Sequence, residues 1–186
     1  IPEKDFPINK PDHSIDFLMD NRHLWLRTQR QTHILKIRHE IIKAVREFYN
    51  DRDFVLVDTP IFTGSIGESA GNTFEIDYFD YGKAYLAQTG QLYLEAAAMA
   101  LGKVYNLGPT FRAEKSKTRR HLIEFWMNEA EVAYYKHEDN IKLQEDLVSY
   151  VVQKTLERAG DNLLAIGRDI GKLKKIEAPF PRMTYD

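Results

Sequence analysis

Apolar side chains at Ile34, Ile37, Ile41, Val45 and Phe48 recur at three- and four-residue spacing. Thr28 to Tyr49 is therefore predicted to form one long amphipathic helix, broken by Asn50-Asp51. Upstream, Ile1 to Arg27 holds Pro2, Pro7 and Pro11 and no clear period, which predicts an extended arm leading in from a preceding domain. Phe54-Val55-Leu56-Val57 reads as a short strand ended by Pro60, because proline cannot continue a central ladder. Gly64, Gly67 and Gly71, set among small polar residues between Phe62 and Asn72, predict a flexible loop beside a site. Alternation from Phe74 to Ala87 predicts a hairpin around Tyr81-Gly82, and the Leu, Ala and Met of Leu92 to Leu101 predict a helix between Gly90 and Gly102.

Lys103 to Glu114 reads as a strand, Lys115 to Arg120 as a charged tip and Leu122 to Tyr135 as the returning strand. A last helix, Asp139 to Ala159, carries Leu147, Val148, Val151, Val152 and Leu156 near one face, with Gly160 in the usual stop position. Strands joined by hairpins favour an antiparallel sheet flanked by helices, an α+β layout spanning residues 28–186.

Composition narrows the function classes. With 43% hydrophobic residues in 186, the chain can bury a genuine core, and its ten Tyr, ten Phe and two Trp suit aromatic cross-strand packing. The 26 basic and 28 acidic side chains nearly cancel, so any nucleic-acid surface must be local. Zero cysteines exclude disulfides and thiolate metal sites. No apolar run approaches the ~20 residues that span a bilayer, and no signal pattern opens the chain. The expectation is a soluble cytoplasmic protein with no membrane partner.

The most informative window runs from Gly108 to Glu131. A hairpin here puts Arg112 and Glu114 near the end of one strand and Arg120 and His121 at the start of the next, with Arg112, Lys115, Lys117, Arg119 and Arg120 within nine residues. Guanidinium forks beside carboxylates suit a substrate that carries both phosphates and amino groups. On composition alone, a solvated tip with weak exposed ion pairs fits equally well, and Phe125 reads equally well as core.

The order of residues weighs on that choice. Phe111-Arg112-Ala113-Glu114, a basic loop, then Arg120-His121-Leu122 and Glu124-Phe125 resembles motif 2 of the class II aminoacyl-tRNA synthetases. The helix and strand ending at Pro60 resemble motif 1, the dimer element of that family; Ala87 to Leu94 resembles the amino-acid-binding turn of its aspartyl/asparaginyl branch, and Gly67 to Gly71 the mobile loop. The resemblance implies a class II catalytic core and a homodimer formed through residues 28–60. It implies that Arg112 is catalytic, clamping the ATP α-phosphate and the substrate carboxylate. Ala113 and Glu114 match contacts to adenine, Phe125 the ring stacked on it, and Arg120, His121 and Leu122 the remainder of the ATP site. Glu68 and Glu129 match acceptors of the substrate ammonium, with Gln88, Gln91 and Leu94 completing the amino-acid site. Lys115, Lys117 and Arg119 are the candidate tRNA contacts.

Leu94 bears on the amino acid. Aspartyl enzymes carry a lysine there, and a substrate carboxylate bound without that lysine would cost roughly a few kcal/mol. Asparagine is therefore favoured, and Glu129 points the same way. The implied reaction activates asparagine with ATP and transfers it to tRNA(Asn). The alternatives are an aspartyl-tRNA synthetase, a related adenylate-forming asparagine synthetase, and a non-catalytic dimerising or RNA-binding piece. The family's third motif and its anticodon-binding barrel are not found in the sequence, so a partial catalytic domain, inactive alone, is expected. The resemblance also implies Mg2+, with ligands outside this chain and no metal ligand within it.

Overall fold

The computed structural model describes residues 7–8, 12–64, 67, 73–115, 118 and 120–184. Helices and strands fall into two compact units, one made of residues 1–48 and 140–186 and the other of 49–139.

The first unit is helical. Its arm is not extended throughout: α1 (Ile15–Asp20) and α2 (Arg22–Trp25) follow the last proline of that stretch, and the Ser14 hydroxyl accepts the Phe17 N–H to cap α1. Helix α3 (Gln29–Asn50) follows the predicted apolar spacing. Helix α5 (His137–Ala165) is interrupted where the stop at Gly160 is expected, and a second helical stretch follows. The backbone breaks at Ala159 (φ −127°, ψ 20°) and then resumes, because Ala159 and Leu163 bury with Ile37, backed by Leu156, Ile166, Ile170 and Leu173. Tertiary burial here outweighs a glycine's local preference. Arg158 reaches Glu47 at 2.7 Å, and α6 (Ile170–Leu173) is capped by Asp169.

The second unit carries two three-stranded sheets. One has the order β1 (Val55–Leu56), β5 (Lys103–Phe111), β6 (Glu124–Val132). The β5–β6 pair is the predicted long antiparallel hairpin, whereas β1 pairs with β5 in parallel, so this sheet is mixed rather than wholly antiparallel. The chain from Phe62 to Leu101 intervenes between β1 and β5, which gives the crossover that a parallel pairing needs. The other sheet is antiparallel, with β4 (Lys83–Leu86) between β2 (Phe62–Thr63) and β3 (Glu75–Asp77). Strand β2 lies at the start of the segment expected to be a loop, where Phe62 and Thr63 pair with Leu86 and Tyr85. A 3₁₀ turn, Phe79–Tyr81, leads into Gly82, whose φ of +97° strains any side chain, so the hairpin turns where the sequence predicts.

Register divides the β5–β6 hairpin into two faces. Val104, Asn106, Gly108 and Thr110 lie opposite Glu131, Glu129, Met127 and Phe125 on one face, which Arg112 continues. Helix α4 (Gln91–Leu101) packs there, with Leu94 and Ala98 buried against Val104. On the other face, Tyr105 is fully buried, and the Tyr49 ring stacks on it at 4.5 Å between centroids and 17° between planes. The Asn128 amide donates to the Tyr49 hydroxyl at 2.9 Å, and burial raises the Tyr49 pKa.

Candidate active site

The face shared by Arg112, Phe125 and Glu129 holds two neighbouring features: a cleft at the open end of the hairpin and a tight turn at the start of α4. The cleft has a volume of about 500 Å³ and is lined by Arg112, Glu114, Arg120, His121, Leu122 and Phe125. Its position follows from the backbone. Beyond the last ladder pair, Phe111 with Glu124, the Arg112 N–H still bonds the Ile123 carbonyl at 2.9 Å, so the strands hold Arg112 half-buried while the following chain splays apart. Phe125 is half-buried on the same face as Arg112, and the Thr110 hydroxyl donates to its carbonyl. At the rim, Thr118 accepts the Arg120 N–H, and its hydroxyl bonds His121 Nδ1. Two guanidinium groups against one carboxylate give the cleft a cationic lining, suited to a polyphosphate beside a planar ring. Ala113 is half-buried between Arg112 and Glu114, and Lys115 is exposed next to them. Lys117, Arg119 and Glu68 lie outside the described residues.

The turn Ala87–Gln91 is tied to the hairpin at several points. The Phe111 N–H bonds the Ala87 carbonyl at 2.9 Å. From β6, Glu129 reaches across the face: its two oxygens accept the Gly90 N–H at 3.1 and 2.9 Å, and one also takes the Thr89 hydroxyl proton. Thr89 in turn accepts the Gln91 N–H at 3.0 Å, so a relay of donors runs from the first turn of α4 to one carboxylate. An anion at this position also complements the positive end of the helix. The structure thus gives Glu129 a local role, as the cap of the turn, that the sequence does not announce. Gln88 is buried, while the exposed Gln91 amide donates to Glu95 at 2.9 Å. Leu94 is fully shielded from solvent within the α4–β5 core.

Asn106 and Thr59 are further members that sequence reasoning passed over. Asn106 is 4% exposed, and its amide donates to the Thr59 hydroxyl at 3.1 Å. The available signal was a polar residue within an otherwise apolar strand, on the same parity as Thr110 and Arg112.

Next to this network, Glu131 is half-buried, and burial first, then Glu95 and Glu129, push its carboxyl above the ordinary glutamate range. A raised folded value means that the folded chain holds the proton more tightly than the unfolded chain. Stability is therefore lost as pH rises from the ordinary glutamate range through the raised value, and the loss persists above it. Urea unfolding of Glu131→Gln and the parent, at about pH 5 and about pH 8, is expected to show a stability difference that moves in the variant's favour as pH rises. A difference independent of pH would show that the carboxyl is not perturbed.

Among the described residues, no group of three or more His, Asp or Glu side chains converges in a way that could hold a metal ion. No helix among them is long and apolar enough to cross a membrane.

The family described as tRNA synthetases class II (D, K and N) matches residues 14–186. An Asparagine--tRNA ligase of Desulforamulus reducens is 57% identical over 182 residues, which cover 98% of this chain and 42% of that protein. Asparaginyl-tRNA synthetase of Pyrococcus horikoshii, in a crystal structure with asparaginyl-adenylate, is 44% identical with a TM-score of 0.90, over 93% of this chain and 40% of that one. Aspartyl tRNA synthetase of Entamoeba histolytica is more distant, at 31% identity and a TM-score of 0.67, over 84% of this chain and 29% of that one. The chain thus spans about two fifths of the asparagine-specific relatives named above.

Proposed function

Because this chain belongs to the class II tRNA synthetases of the D, K and N group, we propose that its protein activates asparagine with ATP and transfers it to tRNA(Asn). The asparagine carboxylate attacks the α-phosphorus of ATP and pyrophosphate leaves; a hydroxyl of the terminal ribose of the tRNA then attacks the adenylate's carbonyl carbon, and AMP leaves. Neither step needs a protein nucleophile, so positioning and charge stabilisation carry the rate. In this reading the Arg112 fork holds the α-phosphate and the amino-acid carboxylate, Phe125 stacks on adenine beside Ala113 and Glu114, and Arg120, His121 and Leu122 enclose the rest of the nucleotide. Glu129, with Glu68, Gln88, Gln91 and Leu94, forms the amino-acid side, and Lys115, Lys117 and Arg119 approach the tRNA. Magnesium, which the family implies, finds no fitting ligand group among the described residues, and its ligands are expected outside this chain.

The observation that carries this reading is the likeness, over nearly the whole chain, to a synthetase structure holding asparaginyl-adenylate. The reading brings with it a cytoplasmic location and a homodimer through residues 28–60. Exposed Leu35 and Ile41 on α3, and separately Val55 and Leu56 on the edge strand β1, support the dimer. The test is exchange of labelled pyrophosphate into ATP by the complete protein. Exchange dependent on asparagine is expected. Exchange with aspartate but not asparagine would overturn the substrate assignment, and none with either would overturn the activity.

A further inference from the structure

Asn106 and Glu129 stand directly opposite each other in the β5–β6 register, on the face that meets the turn. Glu129 holds the turn through its donors, and Asn106 bounds it sterically. A methyl group added at Gly90 would lie 2.7 Å from Thr59 Oγ1, 3.0 Å from Thr59 Cγ2 and 3.0 Å from Asn106 Nδ2. Gly90 is therefore seated against a shelf made of the Thr59 side chain and the Asn106 amide, which are themselves joined by a 3.1 Å hydrogen bond. The amide oxygen of Asn106 faces along the strand, 3.2 Å from where a Cβ on Gly108 would stand, so the carboxamide is hemmed in at both ends. Asn106 and Gly90 are both buried.

Building on the proposed synthetase activity, we infer that Asn106 is a positioning residue for asparagine, which fixes the height of the Thr89–Gly90–Gln91 turn by holding Thr59 as a shelf beneath Gly90. Asn106 touches no reacting atom; it acts through the turn. Thr59 lies just beyond β1, the strand that runs parallel to β5, so the shelf also fastens the turn to the part of the chain that resembles the dimer element. An acid at 106 would repel Glu129 across the ladder, a base would draw that carboxylate away from the turn, and an apolar residue could not hold Thr59; a neutral amide meets all three demands.

The test is steady-state pyrophosphate exchange by the complete protein carrying Asn106→Ala, Thr59→Val, Gly90→Ala and the triple combination Thr59→Ala/Gly90→Ala/Asn106→Ala. Thr59→Val keeps the packing and removes only the hydroxyl, so it reads the shelf even if Asn106→Ala fails to fold. Asn106→Ala and Thr59→Val are each expected to raise KM for asparagine about tenfold while KM for ATP stays within about twofold. Gly90→Ala is expected to raise it further, and the triple variant to recover part of that loss, since the atoms in the way are gone. Equal changes in both KM values, no change, or a triple variant showing the multiplied cost of its parts would overturn the inference. A parent protein without asparagine-dependent exchange would overturn the activity instead, independently of the shelf.

Discussion

Replacing Arg112 with alanine is expected to lower asparagine-dependent pyrophosphate exchange by about 10³-fold, equivalent to about 4 kcal/mol of lost transition-state stabilisation. The expectation rests on where the residue stands. Arg112 is the first residue past the β5–β6 ladder, its N–H still held by the Ile123 carbonyl, and its side chain opens into the cleft beside Arg120 and His121. A planar fork at this point can hold two anionic groups at once and keep them aligned, which neither rim residue can do from an exposed position. Arg112→Lys is expected to fall between the parent and the alanine variant, because a point charge keeps the electrostatics and loses the bidentate geometry. Since Arg112 lies at the open end of the hairpin and outside the buried core, the melting temperature of either variant is expected to stay within a few degrees of the parent. Exchange within tenfold of the parent in Arg112→Ala would remove this residue from the centre of the reaction.

The residues lining that cleft are close neighbours in sequence as well as in space, which is why they were legible beforehand. Arg112, Glu114, Arg120, His121, Leu122 and Phe125 belong to one hairpin, and parity along two antiparallel strands is enough to gather most of them. Helix α3 was legible for a similar reason: its apolar spacing is local information. What sequence reasoning lost depended on partners distant along the chain. The parallel pairing of Val55 with Val104 leaves no local mark, and neither does the pairing of Phe62 with Leu86 inside a glycine-rich stretch. Gly160 marks the break at Ala159, but the helical stretch that resumes beyond it depends on Leu163 having Ile37 to bury against. The three prolines of the arm predict extended chain, yet all three precede the Ser14 cap of α1.

Leu94 and Asn106 show the same limit at the site. Leu94 was weighed for the charge it does not bring to the amino acid; that it is also wholly buried against Val104 follows only from α4 crossing the hairpin. Asn106 looks like a polar interruption of a strand until the turn is seen resting beside it. What each residue packs against is set by tertiary contacts, which a local pattern can flag but not identify.

Glu129→Gln is expected to raise KM for asparagine by about 10²-fold and to lower stability by roughly 1–3 kcal/mol, the cost of leaving a part-buried donor without its acceptor. In the parent, one carboxylate oxygen serves both the Thr89 hydroxyl and the Gly90 N–H, and the other accepts the same Gly90 N–H. Glutamine keeps the length but offers a single oxygen, so its NH₂ points either at the Gly90 N–H, donor against donor, or at the Thr89 hydroxyl, whose proton then loses its acceptor. Losing the negative charge at the N-terminus of α4 adds a further, smaller penalty. Two roles can then be separated, that of the cap and that of an acceptor for the substrate ammonium. If capping dominates, chemical unfolding without any substrate shows the full stability loss, and Thr89→Val, which removes one link of the same relay, reproduces a smaller part of the KM increase. A Glu129→Gln protein with unchanged stability and only a raised KM would instead assign the carboxylate to the substrate and remove it from the turn. Glu129→Asp decides the remaining geometry: it keeps the charge but withdraws the oxygens by one methylene, so under the capping role it should weaken asparagine binding nearly as much as glutamine does.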